Sequence, residues 1–144
     1  MGTQQILLIV LSVIIVGVAI AVGISMFNNT AYNSNKTAVA ADAQSYASQV
    51  VQYYKTPSSQ GGANGVLAAG SEATIGAFIG WGADSTTNDN GAFTLSGVTD
   101  GAAGVVVITG VGTSVKDAKN PQIVATITFP AGTVTAVASD VAVP

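Results

Sequence analysis

The chain predicts an α+β fold in which one long N-terminal α-helix, apolar in its first half and amphipathic in its second, packs against a small antiparallel β-sheet head of about four strands. Three observations predict it. From Ile6 to Phe27 nearly every residue is apolar, and no charged side chain occurs before Lys36. From Thr37 to Lys55 apolar residues return at helical spacing, and from Gly91 onward runs of β-branched residues alternate with turn segments. The organisation is therefore 1–27 apolar helix, 28–55 amphipathic continuation, 56–90 loop-rich connection and 91–144 β head.

The apolar segment ILLIVLSVIIVGVAIAVGISMF is long enough to cross a bilayer, since about 20 residues rising ~1.5 Å each cover a hydrocarbon core of ~30 Å. A secretory signal peptide would begin with a basic stretch and have a shorter apolar run, whereas MGTQQ has no basic residue. A simple anchor carries Lys or Arg at its cytoplasmic edge, and here the first cation, Lys36, lies on the far side. The expectation is that a basic leader is removed and that Met1 is the mature N-terminus.

Residues 28–35, NNTAYNSN, are weak helix formers. Helical patterning then resumes, with Val39, Ala43, Tyr46, Val50 and Tyr53 on one face and Asp42, Gln44, Ser45, Ser48, Gln49 and Gln52 filling much of the remainder. Lys55 suits a helix C-terminus, and TPSSQGG stops the helix. A single helix from about Thr3 to Lys55 would be on the order of 80 Å long. With no Pro before Pro57, the helix is expected to be unbroken, or loosened only near Gly17–Gly23, where the two glycines equally suit close helix packing.

In the connection, Ile75, Phe78, Ile79 and Trp81 form an apolar cluster expected to cover one flank of the helix or sheet. Four strand-like runs follow: AFTLSGV, GVVVITGVG, QIVATITF and GTVTAVAS. Ile123, Ala125, Ile127 and Phe129 alternate with Val124, Thr126 and Thr128, and Thr133, Thr135 and Val137 alternate with Val134, Ala136 and Ala138. One face should bury against the helix and the other should be Thr-rich and wet. Pro130-Ala131-Gly132 reads as the turn between the last two strands, giving a meander rather than an immunoglobulin-like sandwich, which needs about seven strands.

Composition narrows function. Only 8% of residues are charged, against about 25% in ordinary soluble proteins, and 49% are hydrophobic. A surface so poor in charge suits a protein covered by copies of itself or by sugar. The net charge of −3, with no Arg, argues against nucleic acid as a partner. With no His and no Cys, most nucleophilic, general-base and thiolate–metal arrangements are excluded, as are disulfides. ADSTTNDNG, with Asp84, Asn88, Asp89 and Asn90, is the one candidate cation loop, but it lacks EF-hand spacing and reads as a solvated turn. GVGTS and GGANG lack the GK[ST] of a phosphate loop. No catalytic, cofactor-binding or metal-ligating set is expected, and the chain is not expected to be an enzyme. Phe27, Tyr32, Tyr46, Tyr53 and Tyr54 along the helix are explained by packing more simply than by electron transport.

MGTQQILLIVLSVIIVGVAIAVGISMF resembles the N-terminal region of type IV pilins and related filament subunits, over residues 1 to about 55; the head is similar only in layout. The resemblance implies removal of a leader by a prepilin peptidase, N-methylation of the new first residue, residence in the inner membrane, and then assembly by the pilus machinery into a homo-oligomeric extracellular filament. It implies that Met1 and residue 5 set register between subunits. Bacterial pilins usually have Glu at that position, and Gln5 stands here. Gln still accepts a hydrogen bond from an ammonium at lower desolvation cost than a carboxylate. The filament core would comprise Ile6, Leu7, Leu8, Ile9, Val10, Leu11, Val13, Ile14, Ile15, Val16, Val18, Ile20, Val22, Ile24 and Phe27. Asn28 and Asn35 open N-x-S/T sequons and are candidate glycosylation sites. Two other readings share these features: a pseudopilin of a secretion machine, and a single-span anchored β domain that does not polymerise.

Overall fold

The computed structural model describes residues 2–144. One α-helix, α1, runs from Gly2 to Lys55, and 54 residues at ~1.5 Å give a rod of about 80 Å. It passes through Gly17 and Gly23 without interruption. Hydroxyls inside it bond back along the helix: Ser12 Oγ donates to the Leu8 carbonyl at 2.7 Å and Thr30 Oγ1 to that of Met26 at 2.9 Å. Ser12 is thereby satisfied without water, which an apolar surrounding requires. At the far end Pro57 cannot continue the ladder. The freed carbonyls of Tyr53 and Tyr54 accept from Ala63 N and Gly65 N at 3.0 and 2.8 Å.

A 3₁₀ turn at Ser58–Gln60 and a short helix, α2 (Glu72–Phe78), lead into the sheet. Its strands are β1 (Ser85–Thr87), β2 (Gly91–Ser96), β3 (Val105–Gly112), β4 (Lys119–Thr128) and β5 (Thr133–Ala142), in spatial order β1-β2-β3-β4-β5 with every pair antiparallel. The fold is α+β, with the helix laid on a meander. The expectation of about four strands is corrected to five. β1 is three polar residues, Ser-Thr-Thr, too short to carry an apolar alternation, and it exists because Thr86 registers against Phe93 of β2.

Inner-face residues of three strands close the core: Phe93 and Leu95 of β2, Val106 and Ile108 of β3, and Ile123, Ala125 and Ile127 of β4. Against them lies the α1 stripe Val39, Ala43, Ala47, Val50, Tyr53 and Tyr54. Tyr54 stacks on Phe129, with centroids 4.1 Å apart, and its hydroxyl donates to the Ala102 carbonyl at 2.7 Å. Close approach of helix to sheet needs glycine at two positions of β3. A Cβ on Gly110 would stand 2.7 Å from the Phe93 ring and 2.8 Å from Val39, and one on Gly112 would collide with the Asn35 amide.

Coverage of the inner face is unequal. A helix about 10 Å across spans roughly two strands spaced ~4.8 Å apart, and α1 rests on β3 and β4. The β2 flank is closed by Ile75 and Trp81, with Phe78 and Ile79 packed against them; Trp81 meets Tyr46 edge-on at 5.0 Å. No element among the described residues closes the β5 flank. The expectation that β5 buries one face is therefore corrected: Val134, Ala136 and Ala138 share the inner face with Ile127, Ala125 and Ile123, yet all three are exposed.

Candidate functional site

The distinctive features of the described residues are surfaces. The first is the tail of α1. Sixteen large apolar side chains from Ile6 to Phe27 are exposed, each by 50–72%. Every residue predicted for the filament core lies on this rod, and the apolar side chains surround it on all sides, so no face is reserved for the head. Gln5 is exposed near the start of α1, whereas Met1, its partner in the register reading, lies outside the described residues.

The second is the junction where the tail meets the head. The β3–β4 hairpin tip hangs beside α1, enclosing with it a cleft of about 340 Å³ lined by Ile24, Ser25, Asn28, Val115, Lys116 and Asp117, among others. Lys116 and Lys119 exchange both backbone hydrogen bonds at 2.9 Å across a two-residue turn. Asp117 (φ 52°) and Ala118 (φ 57°) both take left-handed conformations there. Val115 is 53% exposed, one of few large apolar side chains the head presents.

The head is held against α1 just above this level by three polar clasps. The Tyr32 hydroxyl donates to Asp140 Oδ1 at 2.6 Å, and Lys36 Nζ reaches the same oxygen at 3.1 Å. Burial, then the bond to Asp140 and its charge, push Tyr32 up to about 12. The Tyr32 hydroxyl, then Lys36, hold the Asp140 carboxyl below the usual carboxylate range. Asn35 Nδ2 donates to the Asn90 carbonyl at 2.8 Å while its Oδ1 accepts from Ser114 N at 3.2 Å, tying both hairpin ends to one helix residue. Asp42 Oδ2 accepts from Asn88 and Asn90 at 2.9 and 2.7 Å.

The last clasp explains the NDNG segment. Asn88 Oδ1 accepts from Asn90 N and Gly91 N, closing the β1–β2 turn on itself, and the amides then dock on the helix. Its amide groups are used in structure, and no group of three or more His, Cys, Asp or Glu suited to a metal ion is present among the described residues. Of the two sequons, Asn28 stands exposed on the junction cleft, and the Asn35 amide is half-buried in its clasp.

The third surface is β5, exposed on both faces over nearly its whole length, with Val137 59% and Val134 37% exposed. It is a ten-residue edge strand, and Gln44 and Ser48 of α1 form with Val134 and Ala136 an open groove of about 420 Å³. Long edges of low charge offer unpaired backbone groups to another chain, and soluble monomers usually blunt them. Sequence reasoning missed this surface, along with Asp140 and the tip residues Val115 and Lys116. The sole local signal was the absence of charge between Thr133 and Ser139.

A long N-terminal apolar helix followed by a small antiparallel sheet is the general layout of type IV pilins. No protein-family model matches the chain, and neither a curated protein nor a solved structure matches it.

Proposed function

We propose that this chain is a major pilin-like structural subunit. It rests first in the cytoplasmic membrane by its apolar helix and then polymerises through that helix into an extracellular, type IV pilus-like filament. The observation that carries the reading is the tail itself, with sixteen large apolar side chains exposed and nothing in the head covering them. At ~1.5–3 kcal/mol for each large apolar side chain kept from water, the exposed tail represents tens of kcal/mol. That exceeds the ~5–15 kcal/mol by which a whole domain is stable, so the tail must reside in lipid or among other tails.

Moving from lipid into a bundle brings little hydrophobic gain, because both surroundings are apolar. Close packing through Gly17, Gly23, Ala19 and Ala21 and contacts between heads supply specificity instead, and the bare β5 strand is the head surface best suited to them. Gln5 accepts a hydrogen bond from a neighbour's N-terminal amine in this reading. The tip proteins and motors that give a filament its task are separate chains, so the subunit's own work is assembly.

The test is electron microscopy of material sheared from cell surfaces, with intact-mass measurement on the same fraction. Thin fibres containing this chain support the subunit reading, and the mass shows whether residue 1 is methylated and whether Asn28 or other sites carry sugar. Detergent-extractable monomers with no fibres would overturn it in favour of an anchored β domain.

A further inference from the structure

Resting on the reading of the tail as a membrane span, we propose that the β3–β4 hairpin tip is a membrane footing: before assembly, Val115 and Lys116 sit in the phospholipid headgroup layer, with the Lys116 ammonium on a lipid phosphate. Depth is the first argument. If the hydrocarbon core begins at Ile6, about 20 residues at ~1.5 Å carry it to Ser25, so Asn28 and Asn29 emerge among the headgroups. The cleft walls are Ala21, Ile24, Ser25, Asn28 and Asn29 on the helix and Val115, Lys116 and Asp117 on the tip. The tip thus stands at the boundary between acyl chains and headgroups, and the cleft is open to whatever fills that layer.

Chemistry is the second argument. Val115 is an exposed apolar side chain facing the level where apolar groups are welcome, and Lys116 beside it bears an apolar stem and a cationic end, the combination that snorkels at interfaces. Lys36 is paired with Asp140 at 3.1 Å, the single salt bridge among the described residues, and Lys116 has no such partner. Asp117 at the turn balances one of Lys116 and Lys119, leaving the tip with one net positive charge. Asp89 stands beside Asn90, which is tied to Asn35, seven residues or about 10 Å further from the membrane.

Rigidity is the third. The two-residue turn has both central residues at positive φ, although neither is glycine, and Val143 N donates to the Ala118 carbonyl at 3.0 Å. Positive φ at both central residues is the geometry whose twist matches the strands a two-residue turn joins, and the hairpin so closed holds Val115, Lys116 and Asp117 at the cleft. A footing of this kind would fix the rotation and tilt of the head above the bilayer.

The chain has no cysteine, so a single introduced one can carry an environment-sensitive fluorophore. Full-length Val115→Cys, Thr74→Cys and Val13→Cys chains are labelled and reconstituted in phosphatidylcholine vesicles containing nitroxide-labelled lipid. A headgroup nitroxide should quench the label at 115 about threefold more than the label at 74, and Lys116→Glu should cut that excess by about half. Equal quenching at 115 and 74, with position 13 quenched by a mid-chain nitroxide, would overturn the footing and leave the span standing. Excess quenching at 115 that Lys116→Glu leaves unchanged would overturn the phosphate contact. Absence of mid-chain quenching at 13 would overturn the span and the footing together.

Discussion

The two halves of α1 share one unbroken backbone and have opposite surroundings. From Ile6 to Phe27 the side chains are apolar on every side, and not one residue is buried. From Tyr32 to Tyr54 a narrow stripe of Tyr32, Val39, Ala43, Ala47, Val50, Tyr53 and Tyr54 is buried, with polar residues around it. A sheet covers one side of a helix, so the second half needs no more than a stripe. A helix apolar all round has no use for a one-sided partner and must be surrounded, by lipid or by other helices. The head owes its core to the second half alone, and the first half takes no part in it.

The largest expected effect falls on the tail. Ile14→Asp places a charge midway along the apolar rod, at a cost of about 2.5–3.5 kcal/mol at a bilayer centre. Fibres should be lost in electron micrographs while thermal unfolding of the head is unchanged; normal fibres would break the division between the halves. The mirror experiment is Gly110→Val, which drives a side chain into Phe93 and Val39. Overpacking of that kind costs about 1–3 kcal/mol, so chemical denaturation should show a weakened head, while vesicle binding through the tail persists.

A smaller effect is expected where the head itself contributes to assembly. Val137→Lys charges β5 at a residue 59% exposed. Unfolding should shift by no more than about 0.5 kcal/mol, as for ordinary surface changes, while fibres become sparse. Unaltered fibre yield would confine assembly to the tail.

The smallest effect is the pH dependence of the clasp between α1 and β5. Asp140 has a folded pKa below its unfolded one, so its contribution is present above the ordinary carboxylate range near 4 and is lost as pH falls through the folded value. Tyr32 has a folded pKa raised to about 12, so its contribution is present below about 10 and is lost as pH rises from there toward 12. Melting temperature should decline modestly at both ends. Asp140→Asn should flatten the acid limb, and Tyr32→Phe the alkaline one.

Much of this architecture was legible in the chain because its signals are local. The apolar run, the stripe through Val39, Ala43, Val50 and Tyr53, the β-branched run of β3 and the alternation in β4 each sit within a few turns or one strand. What escaped notice depends on distant partners. Packing was expected of Tyr32, but not its partner: Asp140, 108 residues away, accepts from its hydroxyl. Asn88 and Asn90 read as a solvated turn until Asp42 is brought beside them. β5 alternates as a half-buried strand should, but whether a face is covered depends on the width of the helix above it. The exposed apolar surface was legible as composition in the tail and hidden in the head for the same reason.

If copies of the chain itself surround the tail after assembly, cross-linking will join them there. Full-length chains carrying one cysteine, Ile14→Cys in the tail or Thr74→Cys on the exposed face of α2, are treated with a short bismaleimide after detergent removal. Dimers are expected from position 14 and monomers from position 74. Monomers from both positions, with the tail protected by lipid alone, would contradict it.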